Sequence, residues 1–267
     1  MNTPRLWSVL LLALAAACGS EPANAPATVA ARAVLPPAAP HTVVVFATHS
    51  LRRPMELLAR RYEQQAPGAK VELLCAGGAE LLQKRTDGAA CDVLAIGDSS
   101  LMSRFASAAH LEVGSPTELA RNRIAIAVTA GNPKHIGGLR DLAQQGLRLA
   151  FGKRSSSIGR YTRWALSRAT VEAKPAVEFD TADAVLAAVR AGEADAGIVY
   201  VTTFAEQATG VERIDVPEAD NQPVLYSISM DREARERAGA AAFRALALSP
   251  VGQGILHDCG FLPIGAK

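Results

Sequence analysis

Short apolar runs alternate along most of the chain with stretches whose apolar residues recur at helical spacing. Residues 43–47 are continuously apolar, which suits a strand covered on both faces. Leu51, Met55, Leu58, Ala59 and Tyr62 then follow a helical period, with Arg52, Arg53, Glu56, Arg60, Arg61 and Glu63 on the other faces. Ser50 stands at the N-cap position of that helix, and Pro54 falls in its first turn, where a missing N–H is tolerated. Further strands are predicted at residues 71–75, 92–96, 123–128, 147–151, 177–179, 196–201 and 224–229, the last closing the sheet system. Helices are predicted through Leu81 and Leu82 after a turn at Gly77-Gly78, over 101–108, from Gly159 with Tyr161, Trp164, Ala165 and Ala169 on one face, and over 181–191, 240–248 and 250–258. No internal repeat is visible. Strands alternating with helices predict an α/β protein with mainly parallel sheets, in which ligands bind at the carboxyl ends of strands.

The first forty residues break this pattern. Behind Arg5, residues 6–17 are apolar or small except for Ser8. A run of about 12 residues is too short to span a ~30 Å hydrocarbon core and reads as the core of a signal peptide. Ala15, Ala16 and Ala17 lead into Cys18, Gly19 and Ser20. This resembles a bacterial lipobox, although Ala15 stands where leucine is usual and Leu14 lies one step earlier. The resemblance implies cleavage before Cys18 and lipidation of its thiol. Residues 1–18 are therefore assigned to a signal peptide with lipobox, and 19–41, rich in Ala and Pro, to a disordered tether. The remaining stretch, about 225 residues, is expected to be extracytoplasmic and has room for two small α/β lobes or one larger domain.

Composition narrows the function. A formal net charge of +2 is too small for nucleic-acid binding. Beyond Cys18 the cysteines are Cys75, Cys91 and Cys259, an odd set that forms at most one disulfide. Cys75 and Cys91 are expected at opposite ends of neighbouring strands, which disfavours their pairing; Cys259 is left open to either. No Cys/His cluster has metal-ligand spacing. His110, His135 and His257 are isolated, and the arginine pairs 52–53 and 60–61 read as solvated helix faces.

The informative chemistry lies at the strand-to-helix turns. Thr48-His49-Ser50 offers a hydroxyl and backbone N–H groups at a helix start. Ala76-Gly77-Gly78-Ala79 lets the backbone approach a ligand closely, since two residues lack Cβ. Residues 152–159 (GKRSSSIG) are rich in donors, and Asp180-Thr181-Ala182 opens another helix. Helix N-termini of this kind suit an anion. Ser and Thr also cap helices for purely structural reasons, so the four turns matter only if they converge. Neutral donors suffice energetically. A hydrogen bond to a charged group contributes about 1.5–3 kcal/mol, so about six, less the association penalty, reach the ~8 kcal/mol of micromolar binding.

From about Val43 to Pro263 the chain resembles the periplasmic molybdate-binding protein family of ABC transporters. The resemblance is carried by Val45-Phe46-Ala47-Thr48-His49-Ser50-Leu51, Gly77-Gly78-Ala79-Glu80-Leu81, Cys91-Asp92-Val93-Leu94 and Gly159-Arg160-Tyr161. Gly192-Glu193-Ala194-Asp195-Ala196-Gly197-Ile198-Val199-Tyr200 and the closing Gly260-Phe261-Leu262-Pro263 complete it. It implies a two-lobed type II periplasmic binding protein with an interlobe ligand cleft. Lobe I would be discontinuous, 42–121 plus 223–267, and lobe II would span 122–222. Implied oxyanion contacts are Ser50 through hydroxyl and amide, Gly78, Ile158 and Ala182 through main-chain N–H, and Tyr200 through its hydroxyl. Gly78 departs from a serine that is common in the family, Ile158 from an alanine, and Ser156-Ser157 from a Val-Pro pair. His49, Lys153 and Arg154 add positive charge nearby.

The resemblance implies a monomeric binding protein of the periplasm or cell envelope, lipid-anchored at Cys18. It would capture molybdate or tungstate, through their oxygens and without a cofactor, and deliver it to an ABC permease and its ATPase. Sulfate, phosphate or a phosphonate is the alternative ligand. An enzyme on the same fold is a further alternative, but the sequence offers no nucleophile with a positioned base; His49 beside Ser50 is not a dyad. An effector domain of a transcriptional regulator is disfavoured by the export signal.

Overall fold

The computed structural model describes residues 40–114, 116–207 and 209–265; the signal peptide, Cys18 and nearly all of the tether lie outside them. The first lobe begins with β1 (His41–Thr48), a single turn of 3-10 helix (His49–Leu51), α1 (Arg52–Gln65), β2 (Ala69–Ala76), α2 (Gly78–Thr86), β3 (Val93–Gly97), α3 (Ser99–Ser107) and β4 (Thr117–Asn122). The second contains β5 (Ile124–Thr129), β6 (Leu149–Gly152), α4 (Ser157–Arg168), β7 (Val177–Phe179), α5 (Ala182–Arg190), β8 (Ala196–Tyr200), α6 (Val201–Gln207) and β9 (Val211–Asp215). The chain then returns to the first sheet as β10 (Val224–Met230) and ends in α7 (Arg237–Leu248) and α8 (Pro250–Asp258).

Each sheet has five strands, ordered β2-β1-β3-β10-β4 and β7-β6-β8-β5-β9. In each, three neighbouring strands are parallel, the fourth in order is antiparallel to both its neighbours, and the fifth therefore runs with the first three. The sheets are thus mainly parallel in direction, with one reversed strand apiece. The two reversed strands, β5 and β10, are the first strands the chain forms after crossing from one sheet to the other. β4 and β9 escaped the sequence reading because polar residues interrupt them: TELARN and VERID.

The continuous apolar run in β1 is explained by burial on both faces. Val43, Val45 and Ala47 pack with Leu51, Met55, Leu58, Tyr62 and Phe243, whereas Phe46 faces Leu81, Leu94, Leu101 and Phe105. β1 already includes His41, whose Nε2 lies 2.8 Å from the Tyr62 hydroxyl, so ordered structure begins one residue inside the stretch assigned to the tether. Among the described residues, none of Cys75, Cys91 and Cys259 is in a disulfide. β1 separates the strand carrying Cys75 from β3, the strand that follows Cys91.

Two arrangements fix the elements that matter for the site. The buried Arg85 guanidinium at the end of α2 is held by Asp231 at 2.6 and 3.0 Å and by Glu233 at 2.6 Å, so the helix direction is set by a paired internal charge. At the crossing, buried Asn221 accepts from the Ile124 N–H at 3.0 Å and donates to the Ile124 carbonyl at 2.8 Å. Its amide imitates a strand partner and ties the returning segment to the outgoing one.

Candidate functional site

The parallel strands of both sheets end at one cleft. Thr48 and Ser50 after β1, Ala76 to Glu80 after β2, Gly97 at the end of β3, Ser155 to Ile158 after β6, Asp180 to Asp183 after β7 and Tyr200 at the end of β8 all line it. The cavity is about 450 Å³. Ser50, Gly78, Ile158, Ala182 and Tyr200, separated by up to 150 positions in sequence, therefore share one enclosure. Ile158, Ala182 and Tyr200 are only 2%, 7% and 6% exposed.

Helix geometry leaves backbone N–H groups without an acceptor at residues that line this space. The first N–H groups of a helix have no acceptor within it. In α4 the Ser156 side chain accepts from the Gly159 N–H at 3.2 Å, which leaves the N–H groups of Ser157 and Ile158 outside the cap. In α5 the Thr181 hydroxyl likewise accepts from Ala184 at 3.2 Å, leaving Ala182 and Asp183. At α2 the N-cap residue is Gly77, with no side-chain cap at all. The sequence reading began α4 at Gly159; it begins two residues earlier, at Ser157. A Cβ on Gly159 would lie 1.9 Å from the Lys153 carbonyl oxygen, so glycine is required for the 152–159 loop to fold onto its helix.

Ser50 is not the cap of α1. It sits in the preceding 3-10 turn, and the N-cap residue is Leu51, which makes no side-chain cap bond. Its hydroxyl is engaged elsewhere, 2.9 Å from Tyr226 Oη. Tyr226 accompanies Ser50 because β10 pairs Tyr226 with Gly97. A Cβ at Gly97 would stand 2.4 Å from the tyrosine ring, so the missing side chain lets the ring lie across β3. Asn122, 0% exposed at the crossing, donates through Nδ2 to Thr202 Oγ1 at 2.9 Å, and its side chain opposes the upward shift of the Tyr226 phenol. Half-buried Ser50 and buried Tyr226, Asn122 and Thr202 thus line up as a polar chain that runs from one lobe, through the crossing, into the other.

Burial pushes the Tyr226 phenol up, with the Ser50 and Asn122 bonds opposing, and pushes Tyr161 up to about 12. Tyr200 is raised well above the ordinary phenol value, first by burial and then by its tyrosine neighbours. All three are O–H donors at neutral pH. Tyr226 donates to Ser50 Oγ, which frees the serine hydrogen for a guest. The Tyr200 hydroxyl makes no hydrogen bond to another described residue, although the side chain is buried at the cleft wall.

A Cβ at Gly78 would meet Leu101 Cδ2 at 2.0 Å, so a serine there would require the Leu101 side chain to shift. Of the flanking cations, His49 lines the cleft, Arg154 does not, and Lys153 is paired with Asp180 at 2.8 Å. His110, His135 and His257 are not among the lining residues. Sequence reasoning missed Ser100, Arg104, Arg160, Thr202, Thr203 and Tyr226 on the walls, and Asp98 just behind them. Gly97-Asp98-Ser99-Ser100 follows a strand in the same manner as the other turns and was the available signal. Tyr226 carried none.

Two α/β lobes whose helix starts line a shared cleft define a binding protein of the type II periplasmic fold. Residues 43–262 match the family of bacterial extracellular solute-binding proteins, and the chain belongs to that family. It is 34% identical over 257 residues to the molybdate-binding protein ModA of Mycobacterium bovis and to that of Mycobacterium tuberculosis, with 96% of this chain and 95% of each relative aligned. Among solved structures, the periplasmic molybdate-binding protein of Azotobacter vinelandii superposes with a TM-score of 0.72 at 17% identity, over 82% of this chain and 98% of that one. The sulfate-binding protein SubI of Mycobacterium tuberculosis gives 0.68 at 17% identity, over 84% and 87%. At such identities the superpositions speak for the fold.

Gly97→Ala tests the packing that sets Tyr226. Overpacking of this kind costs about 1–3 kcal/mol, so the thermal midpoint should fall by roughly 3–8 °C in calorimetry. An unchanged midpoint would contradict the account.

Proposed function

We propose that this protein captures molybdate or tungstate in the interlobe cleft and delivers it to an ABC permease and its ATPase. The reading is carried by one observation: neutral donors from separate chain segments, several without a protein acceptor, face the same enclosed space. Helix-start amides of Ser50, Gly78, Ile158 and Ala182 would surround the oxygens, with the Ser50 and Tyr200 hydroxyls completing the shell. The 34% identity to molybdate-binding proteins along nearly the whole chain supports the same ligand. Mechanistically the protein would carry out no chemistry. Closure removes water, which strengthens each N–H···O contact in the lower local dielectric, and a docked permease would reopen the lobes.

The cavity exceeds what one oxyanion fills. At about 30 Å³ per water, 450 Å³ corresponds to some fifteen waters in bulk terms, so selectivity would depend on how far the lobes close. Ile158 in place of the usual small residue narrows one wall, and Gly78 removes one hydroxyl. Sulfate, phosphate and phosphonate are the competing ligands. Isothermal titration of the mature protein with molybdate, tungstate, sulfate and phosphate decides among them. Micromolar or tighter heats are expected for the first two, weakened about tenfold by Ser50→Ala; silence towards both ends the molybdate reading.

The mature protein would be a lipid-anchored monomer of the periplasm or cell envelope, held through Cys18, with the stretch from residue 19 up to β1 as its tether. Cys18→Ser should shift the expressed protein from the detergent phase to the aqueous phase in Triton X-114 partition. Equal partition of both forms would remove the anchor.

A further inference from the structure

Asp98 stands out from the other cleft residues because its backbone is strained and its carboxylate reaches the opposite lobe. It has φ of 100°, a region that non-glycine residues rarely occupy without compensation. The side chain is almost fully buried. One carboxylate oxygen, Oδ1, accepts from the Ser100 N–H at 2.9 Å and from the Ser100 hydroxyl at 2.7 Å, capping α3. The other, Oδ2, accepts from the Ser157 hydroxyl at 3.2 Å and forms an ion pair with Arg160. Asp98 belongs to the first lobe, between β3 and α3; Ser157 and Arg160 are in the first turn of α4 in the second. Arg160 is oriented by its own loop, donating to the Ser155 carbonyl at 3.2 Å and to the Ser157 hydroxyl at 3.1 Å.

An unpaired carboxylate beside a cleft rich in helix N-termini would repel an anion, and an unpaired arginine would attract anions indiscriminately. Pairing cancels both fields locally. The pair also forms only when the lobes are together, because its members sit on different lobes. We propose that Asp98 and Arg160, with Ser157, form an interlobe clasp that favours the closed cleft and positions the Ser157 and Ile158 N–H groups opposite Ser50. Asp98 is here a positioning residue: it acts on a guest through α4. The clasp rests on interlobe geometry alone, so it stands or falls separately from the identity of the ligand.

The Arg160 side chain is 45% exposed, so the pair is screened by solvent, and its removal should lower the closed-to-open ratio by about threefold to fivefold. Asp98→Asn retains an N-cap side chain and a residue tolerant of positive φ while discarding the charge. Arg160→Gln removes the charge from the other side, at a half-exposed position. Small-angle X-ray scattering of the ligand-free mature protein at low salt should give a larger radius of gyration for both variants than for the parent. The parent should expand to match them in about 1 M NaCl, where the screening length is about 3 Å. In stopped-flow displacement, tungstate should leave both variants about threefold to fivefold faster. Parent-like scattering from both variants overturns the clasp. If tungstate and molybdate do not bind, the proposed function fails while the scattering still decides the clasp.

Discussion

A helix begins with N–H groups that nothing inside it can accept, and the proposed function makes that geometric remainder the recognition surface of this protein. Parallel strands in both sheets deliver their helices from the same edge, so the starts of α2, α4 and α5 and the turn at Ser50 meet around one cleft. The capping side chains are arranged so that they do not close it. Ser156 and Thr181 each occupy a third-position N–H, and Gly77 occupies none, which leaves earlier amides for a guest. Local structure, topology and function are here the same fact at three scales.

Charge is handled with restraint. His49, Arg104 and Arg160 share the walls with Glu80, Asp180 and Asp183, and the pairs Lys153–Asp180 and Arg160–Asp98 cancel fields that would otherwise draw in any anion. Beside these charges stand the helix-start amides and tyrosines, whose phenols burial pushes further above neutral pH. On the proposed reading such a site would discriminate by size and by the number of oxygens it can satisfy, since each misplaced oxygen leaves a desolvated donor unpaired. The polar chain from Ser50 through Tyr226 and Asn122 to Thr202 joins that shell to the crossing between lobes, so the same hydrogen bonds that orient Ser50 also pass through the point where the lobes would move.

Much of this was legible in the sequence, and the exceptions have physical causes. The apolar run at 43–47 and the period of the following helix located the first βα unit because both faces of β1 are buried. The four turns were recognisable by their residue types, but their convergence depends on strand order, which no local pattern encodes. Ser50 misled as a cap because a 3-10 turn shifts the start of α1 beyond it. β4 and β9 were hidden by polar residues, which in β4 are half-buried or, like Asn122, fully buried, and in β9 are exposed. Tyr226 lay in a predicted strand and looked like core; its reach to Ser50 depends on Gly97 facing it in the neighbouring strand, a pairing made across some 130 residues. Asp98 was passed over although its place between β3 and α3 suits a cap, and its second partner lies in the other lobe.

The most direct test of the central claim is the anomalous scattering of tungsten in crystals grown with tungstate. The account predicts a single strong peak in the cleft, with ligand oxygens about 2.7–3.2 Å from the backbone nitrogens of Ser50, Ile158 and Ala182 and from Tyr200 Oη. A peak outside the cleft, or one held by Arg104 and Arg160 with those amides out of reach, would contradict it.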